Sequence, residues 1–429
     1  VRVLFVTLAA KSHFAAQVPL AWALRAAGHE VRVASQPDLT GAVTAAGLTA
    51  VPVGEALEQH VSVEELRRRQ ERAARRLGDP PDAQLLMRLT ESRPHVLTAD
   101  YLTGTFTVLT SAILQNFSAA RTVDDLVGFA RHWRPHLVVW DTMMLAGAVA
   151  AQACGAAHAR LLYGLDLIGT MRAHHLAAMA GTEPELCDDA LAAWLDVTTA
   201  RHGGHFDESL VTGDWTIDPI PASLRTPTPL PVQPMRYVPY NGRAVVPPWL
   251  IDVPQRPRIC LTLGESFRET MGGDQSSIPA LLDAFADLDA DVVATLTAEQ
   301  LGDTRVPPNV RVTDFVPLND LLPTCALVVH QGGFGTGMTA LAHGVPQVIV
   351  PSDMWDAVPR ADRVQAQGAG LSVGEATAGP ERIHAMVRRV LDDPRLRHGA
   401  EVLRREIEGT PAPAETVPIL RRLVADHRP

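Results

Sequence analysis

The chain has little lysine, little cysteine and few aromatic side chains. Lys11 is its only lysine, so its positive charge rests on arginine, a bias expected of a GC-rich bacterial coding sequence. With a formal charge of −10 at pH 7 and no basic stripe interleaved with aromatics, a nucleic-acid surface is excluded, because that function needs clustered cations. The four cysteines, Cys154, Cys187, Cys260 and Cys325, are scattered through apolar stretches without metal or disulfide spacing. They are expected to be buried, reduced thiols. No apolar run approaches the ~18 residues of a membrane span, and the opening residues read as a strand rather than a signal peptide. No membrane association and a cytoplasmic location are expected. No Asp-x-Asp pair stands at a strand end, and the adjacent His174 and His175 would point apart on a helix, so no metal is expected. Finally, "LAAKSHFAAQ", after the first strand, contains no glycine. That excludes a dinucleotide oxidoreductase, whose glycine fingerprint lets the backbone approach a pyrophosphate at this turn.

What is present is a repeated grammar of short apolar runs and helical stretches over 429 residues, 46% of them hydrophobic, enough for two cores. "RVLFVT", "EVRVAS", "LTAVPV", "HLVVWD" and "HARLLYG" read as buried parallel strands. "QVPLAWALRAAG" reads as a helix closed by Gly28. Residues 218–257 are too proline-rich for a helix or a central strand and read as a connector. The grammar then restarts with "RICLTLG", "DVVATL", "VRVTDFV", "ALVVH", "PQVIVP" and "GLSVG". The fold class is therefore α/β, with an N-terminal domain over 1–217 and a C-terminal domain over 258–429, two similar domains facing a central cleft. The final helix is expected to return to the first domain. Residues 58–117 interrupt the pattern with a helical excursion; the charges of "VEELRRRQERAARRLG" read either as a solvated helix face or as a partner-docking surface.

At "ALVVHQGGFGTGMTALAHG" a strand is expected to end at His330 and a helix to begin near Thr336. The orphan amides of such a helix start attract anions. Gly332, Gly333 and Gly335 would permit close backbone approach and positive φ, and the side chains of His330 and Thr336 would add hydrogen bonds to phosphate oxygens.

The stretch "VVHQGGFGTGMTALAHGVPQVIVPSDMWDAVPRADRV" resembles the nucleotide-sugar signature of family-1 glycosyltransferases of the GT-B fold, whose members read His-His-Gly-Gly-Ala-Gly-Thr at the turn. "VRVTDFVPLNDLLPTCALVVH" is similar to their nucleobase-holding segment and "CLTLGES" to a diphosphate-contacting loop. "IPASLR" and "MRYVPYNGRAVVPPWL" resemble the connector of a bacterial subgroup that attaches deoxysugars or aminodeoxysugars to macrolides and related polyketides. The resemblance spans essentially the whole chain; it is strongest over 235–364 and weakest over 58–117.

It implies two Rossmann-like domains with parallel sheets, and an inverting, metal-independent hexosyl transfer from a dTDP-sugar to a hydroxyl of a polyketide aglycone. No cofactor beyond the donor substrate is implied. An activator protein and a homodimer are implied as partners. Residue by residue, His330, Gly332, Gly333, Gly335 and Thr336 would hold the diphosphate, with Gly264 and Ser266 opposite. Phe315 would stack on the base, the backbone of Val316 would read its edge, and Asp356 would contact the donor sugar. This chain departs from the pattern at Gln331, Phe334 and Ala357, where the family carries histidine, a small residue and glutamine. Losing that glutamine suits a sugar short of hydroxyls.

For the acceptor, His13 follows the first strand at the carboxyl edge of the sheet, where α/β folds place ligands. The resemblance makes it the catalytic base, oriented by Asp141 at the end of "HLVVWD". Met143, Met144 and Leu165 are candidates for a greasy acceptor pocket. The competing expectation is a catalytically silent, nucleotide-sugar-binding partner protein that retains the fold.

Overall fold

The computed structural model describes residues 1–57, 89–180, 188–264, 277–352 and 355–427. Ser266, Cys187 and the charged run 63–78 lie outside them. The chain forms two compact units. One comprises residues 1–219, 226–235 and 413–429, the other 220–225 and 236–412. The proline-rich stretch is thus shared between the units.

In the first unit, seven strands form a parallel sheet: β1 (Arg2–Val6), β2 (Glu30–Ser35), β3 (Ala50–Pro52), β4 (Leu137–Asp141), β5 (Ala157–Leu161), β6 (Trp215–Asp218) and β7 (Val232–Pro234), in the order β3-β2-β1-β4-β5-β6-β7. β1 is central, with Val3 opposite Val31 on one side and Leu137 on the other. Helices cover both faces of such a sheet, which is why β1 and β4 are apolar without alternation. The prolines at either end of β7 are tolerated because it lies at the sheet edge.

Helix α1 (Lys11–Ala26) buries Phe14, Val18, Leu20, Ala21 and Leu24 on one face. It ends at Gly28, whose φ of +83° and N–H bond to the Arg25 carbonyl at 2.9 Å make the glycine stop the sequence indicates. The C-terminal helix Pro413–His427 packs against α1 through a face carrying Val417, Leu420 and Val424.

The helix Ala146–Cys154 follows β4 and approaches the sheet closely. A Cβ added at Gly147 would lie 2.6 Å from Trp140 Cβ, so only glycine fits. Within the excursion, residues Ala99–Leu109 form a helix that continues through a π-turn over Thr110–Leu114.

The second unit repeats the design with six parallel strands: β8 (Arg258–Thr262), β9 (Asp291–Thr295), β10 (Val310–Thr313), β11 (Leu327–His330), β12 (Gln347–Ile349) and β13 (Gly370–Ser372), ordered β10-β9-β8-β11-β12-β13. Ile259, Leu261, Val292, Leu327, Val329 and Val348 form the sheet side of its larger core. Cys260 and Cys325 are buried and free, as expected; Cys154 is only half-buried. Among the described residues, no helix is long and apolar enough to cross a membrane.

In both sheets the strand order reverses beside the first strand, between β1 and β4 and between β8 and β11. The loops leaving two such neighbours diverge to opposite faces and leave a crevice at the carboxyl edge. His13 and Asp141 arise at the first of these positions and Gly264 and the glycine turn at the second, whereas Phe315 follows β10 and Asp356 follows β12.

Candidate functional site

In the first unit, Asp141 is the last residue of β4, and His13 is the third residue of α1, the helix that follows β1. Strand adjacency brings them together across 128 positions of sequence. His13 Nδ1 lies 2.6 Å from Asp141 Oδ2, a charge-assisted distance. The other carboxylate oxygen accepts the Met143 N–H at 2.9 Å. Both oxygens of a carboxylate that is only 1% exposed are therefore fixed.

An ionised carboxylate only accepts, so His13 must donate from Nδ1. Its Nε2 is left with a lone pair for a proton. The Tyr163 ring lies against the imidazole, centroids 3.8 Å apart, and limits its rotation. Sequence reading missed Tyr163, because nothing local ties a residue beyond β5 to one in α1. Met143, Met144 and Leu165 are each no more than 6% exposed; within this unit they are packed core.

In the second unit, helix α2 (Phe334–Ala342) begins at Phe334, two residues earlier than the sequence suggests, with Gly333 as its N-cap. Gly333 has the ordinary φ of −57°, and of the three turn glycines only Gly332 takes positive φ, +84°. A Cβ there would also lie 3.1 Å from Ala357 Cβ. At Gly333 and Gly335 an added Cβ would meet nothing closer than 3.8 Å, and both glycines are exposed. Their smallness leaves the backbone open from outside. Among the described residues, no acceptor engages the N–H groups of Gly333, Phe334, Gly335 and Thr336.

His330 sits behind this turn, 2% exposed. Its Nδ1 accepts the Gly332 N–H at 3.0 Å, so Nε2 carries the proton and donates to Gln347 Oε1 at 2.7 Å. Gln347 Nε2 in turn donates to the Gly337 carbonyl at 3.3 Å. Burial, aided by the Arg360 charge and opposed by Gln347, brings the His330 pKa down to about 4. It is a neutral ring with both nitrogens engaged inside the unit. Through these bonds the ring supports the turn. Gln347 was detectable in principle as the one amide in the apolar run "PQVIVP".

Asp356 is buried and accepts from Arg360 Nε at 3.0 Å and Nη2 at 3.1 Å. Arg360 Nη2 also reaches the Gly332 carbonyl at 2.6 Å, and its guanidinium lies 5.6 Å from the Phe334 ring centroid. The departure at Phe334 thus places a ring over a buried cation and against Tyr237, edge to face at 5.6 Å. Tyr237 donates its hydroxyl to the Gly335 carbonyl at 3.2 Å.

Gly264, with φ +73°, leaves the carboxyl end of β8 beside the turn; its added Cβ would lie 3.7 Å from Gln331 Nε2. Gln331 Oε1 is buried and has no hydrogen-bond partner among the described residues. Phe315, beyond β10, is 49% exposed, an unusual state for an aromatic, whereas Val316 beside it is 3% exposed and packs on Leu321, Leu322 and Val328. Gly264, Phe315 and the turn all lie at the carboxyl edge of one sheet.

Comparison with known proteins identifies the chain's family. Residues 22–264 match the model of the erythromycin biosynthesis protein CIII-like N-terminal domain, and residues 279–423 that of its C-terminal domain. The chain is 50% identical to the aclacinomycin-T 2-deoxy-L-fucose transferase of Streptomyces galilaeus, covering 100% of this chain and 97% of the relative. It is 47% identical to the 10-deoxymethynolide desosaminyltransferase of Streptomyces venezuelae, over 100% and 98%. The crystal structure of the glycosyltransferase VinC in complex with dTDP superposes with a TM-score of 0.89 at 39% identity, over 99% of this chain and 100% of that one. The chain belongs to the erythromycin biosynthesis protein CIII-like family of glycosyltransferases with the GT-B fold.

Proposed function

We propose that this enzyme transfers a deoxysugar or aminodeoxysugar from a dTDP-sugar to a hydroxyl of a polyketide-like aglycone, with inversion at the anomeric carbon. The observation that carries the reading is the His13–Asp141 pair in a chain similar, end to end, to transferases of this kind. His13 Nε2 takes the proton of the acceptor hydroxyl as its oxygen attacks the anomeric carbon. The bond from that carbon to the diphosphate breaks, and dTDP leaves with the electron pair. Asp141 holds the neutral ring's proton on Nδ1, leaving the Nε2 lone pair toward the acceptor, and stabilises the imidazolium that forms.

The second unit holds the donor. The open N–H groups of Gly333, Phe334, Gly335 and Thr336 receive diphosphate oxygens, aided by the Thr336 hydroxyl and the helix dipole. Gly264 leaves room on the opposite side. The exposed Phe315 ring stacks on thymine, and the Val316 backbone reads its edge. Asp356, although paired with Arg360, has lone pairs left for a sugar hydroxyl or ammonium. Fixed amides stabilise the leaving charge without a divalent cation.

Calorimetric titration with dTDP and UDP, each with EDTA and with magnesium, tests the donor site. Metal-independent dTDP binding is expected. Turnover is then followed as dTDP release, using dTDP-desosamine with 10-deoxymethynolide and dTDP-2-deoxy-L-fucose with aclacinomycin T. Binding of dTDP with no transfer to any aglycone would favour the silent-partner reading, against which the ordered His13–Asp141 contact stands. The proposal includes a separate activator protein, as the resemblance implies, and full turnover by the purified chain alone would remove it.

A further inference from the structure

We infer that Arg360 is the positioning residue of the diphosphate site, a clamp that turns the backbone of the glycine turn so that its amides face the leaving group. The inference rests on the donor-site reading above. A trans peptide carries its C=O and N–H antiparallel. The Gly332 carbonyl shares a peptide unit with the Gly333 N–H, and the Gly333 carbonyl shares one with the Phe334 N–H. Arg360 Nη2 lies 2.6 Å from the first carbonyl oxygen, and Nη1 lies 3.5 Å from the second. The Gly333 carbonyl also accepts the Gly337 N–H at 3.0 Å, the first bond of helix α2, so the guanidinium by itself turns the Gly332 carbonyl inward and the Gly333 N–H outward, and it reinforces a Phe334 N–H that the helix already directs.

The guanidinium cannot drift, because the Asp356 carboxylate grips it through Nε and Nη2 one helical turn away and the Phe334 ring lies beside it. The arrangement gives Asp356 a second task besides any contact with sugar: it orients the arginine that orients the amides. Arginine alone suits this position. A lysine ammonium has no planar fork and cannot serve a carboxylate and two carbonyls in fixed directions.

The test compares wild type with Arg360→Lys and the conservative Asp356→Asn. Ligands are dTDP, by calorimetry, and thymidine, which lacks the diphosphate, by saturation-transfer NMR; the amide resonances of Gly333 and Phe334 are followed without ligand. Both variants are expected to move those two resonances and to weaken dTDP by roughly ten-fold or more, the scale of one charge-assisted contact, with thymidine unchanged. Equal losses for dTDP and thymidine would mean a merely structural arginine and would overturn the inference. So would unmoved resonances, or undiminished dTDP affinity in both variants. Should wild type bind no dTDP, the donor-site reading falls, while the resonances still decide whether the clamp exists. If Arg360→Lys does not fold, Asp356→Asn decides alone: a residue that only touched sugar would leave dTDP affinity intact.

Discussion

Replacing Asp141 by asparagine removes one charge and almost no volume, yet the structure implies a large loss of turnover. The two carboxylate oxygens accept from different donors, His13 Nδ1 and the Met143 N–H. Asparagine offers one oxygen and one NH2, so it can satisfy only one of them. If its oxygen serves His13, the Met143 N–H faces another donor in a site where Asp141 is 1% exposed and Met143 6%. A buried, unsatisfied donor costs about 1–3 kcal/mol.

If the oxygen instead serves Met143, the NH2 group faces Nδ1. The imidazole then shifts its proton to Nε2 and can no longer accept one from a sugar acceptor. The two neutral tautomers differ little in energy, so this second arrangement wins by that same cost, and about five- to 150-fold of the population is withdrawn from the active form. Loss of the charge that stabilises imidazolium adds to this, for a total of roughly 10²–10⁴ in turnover. Imidazole ¹⁵N NMR reads the tautomer directly, and dTDP release reads the rate. An asparagine variant that keeps the Nδ1-protonated ring, or turns over within about three-fold of wild type, would refute the reasoning.

His13→Ala should lower turnover by at least about two orders of magnitude while calorimetry shows dTDP affinity unchanged, since the donor groups lie in the other unit. Phe315→Ala should weaken dTDP by about ten-fold through lost stacking without moving the melting temperature, because the ring is half-exposed in the free chain. Gly147→Ala should destabilise the first unit by about 1–3 kcal/mol, since its methyl would enter Trp140; denaturant titration measures this. His330 supplies a pH dependence. Its folded pKa of about 4 lies below the ordinary 6.5, so between those values the unfolded chain binds a proton the folded one does not. Stability is retained above pH 6.5 and lost as pH falls toward 4, by about 3 kcal/mol. Denaturant midpoints across that range should slope less steeply in His330→Asn.

The strands were legible because buried parallel strands must be apolar on both faces, and β1, β4, β8 and β11 are apolar between their end residues. Gly28 was legible because a helix stop with positive φ has few chemical solutions. The start of helix α2 was not, since the stretch from Gly332 to Thr336 is locally compatible with either boundary, and the bonds of Gly332 to His330 and Arg360 decide it. The residues proposed for catalysis and donor binding came from resemblance rather than from local pattern, because a histidine after a strand has many innocent uses.

The amino-acid sequence by itself determined the central strands and the two-fold repetition of the α/β unit, because periodicity and turn chemistry act over a few residues; it did not show β6 or the edge strand β7, which lies in the proline-rich stretch read as a connector. Tertiary structure alone decided which loops become neighbours. Strand order places Asp141 on His13 across 128 positions, and Gln347 and Arg360 behind a turn whose own residues, His330 to Thr336, include neither. Protonation states follow from those neighbours, since the nitrogen that carries a histidine's proton is set by what faces it. The chemistry therefore belongs to the fold more than to any motif.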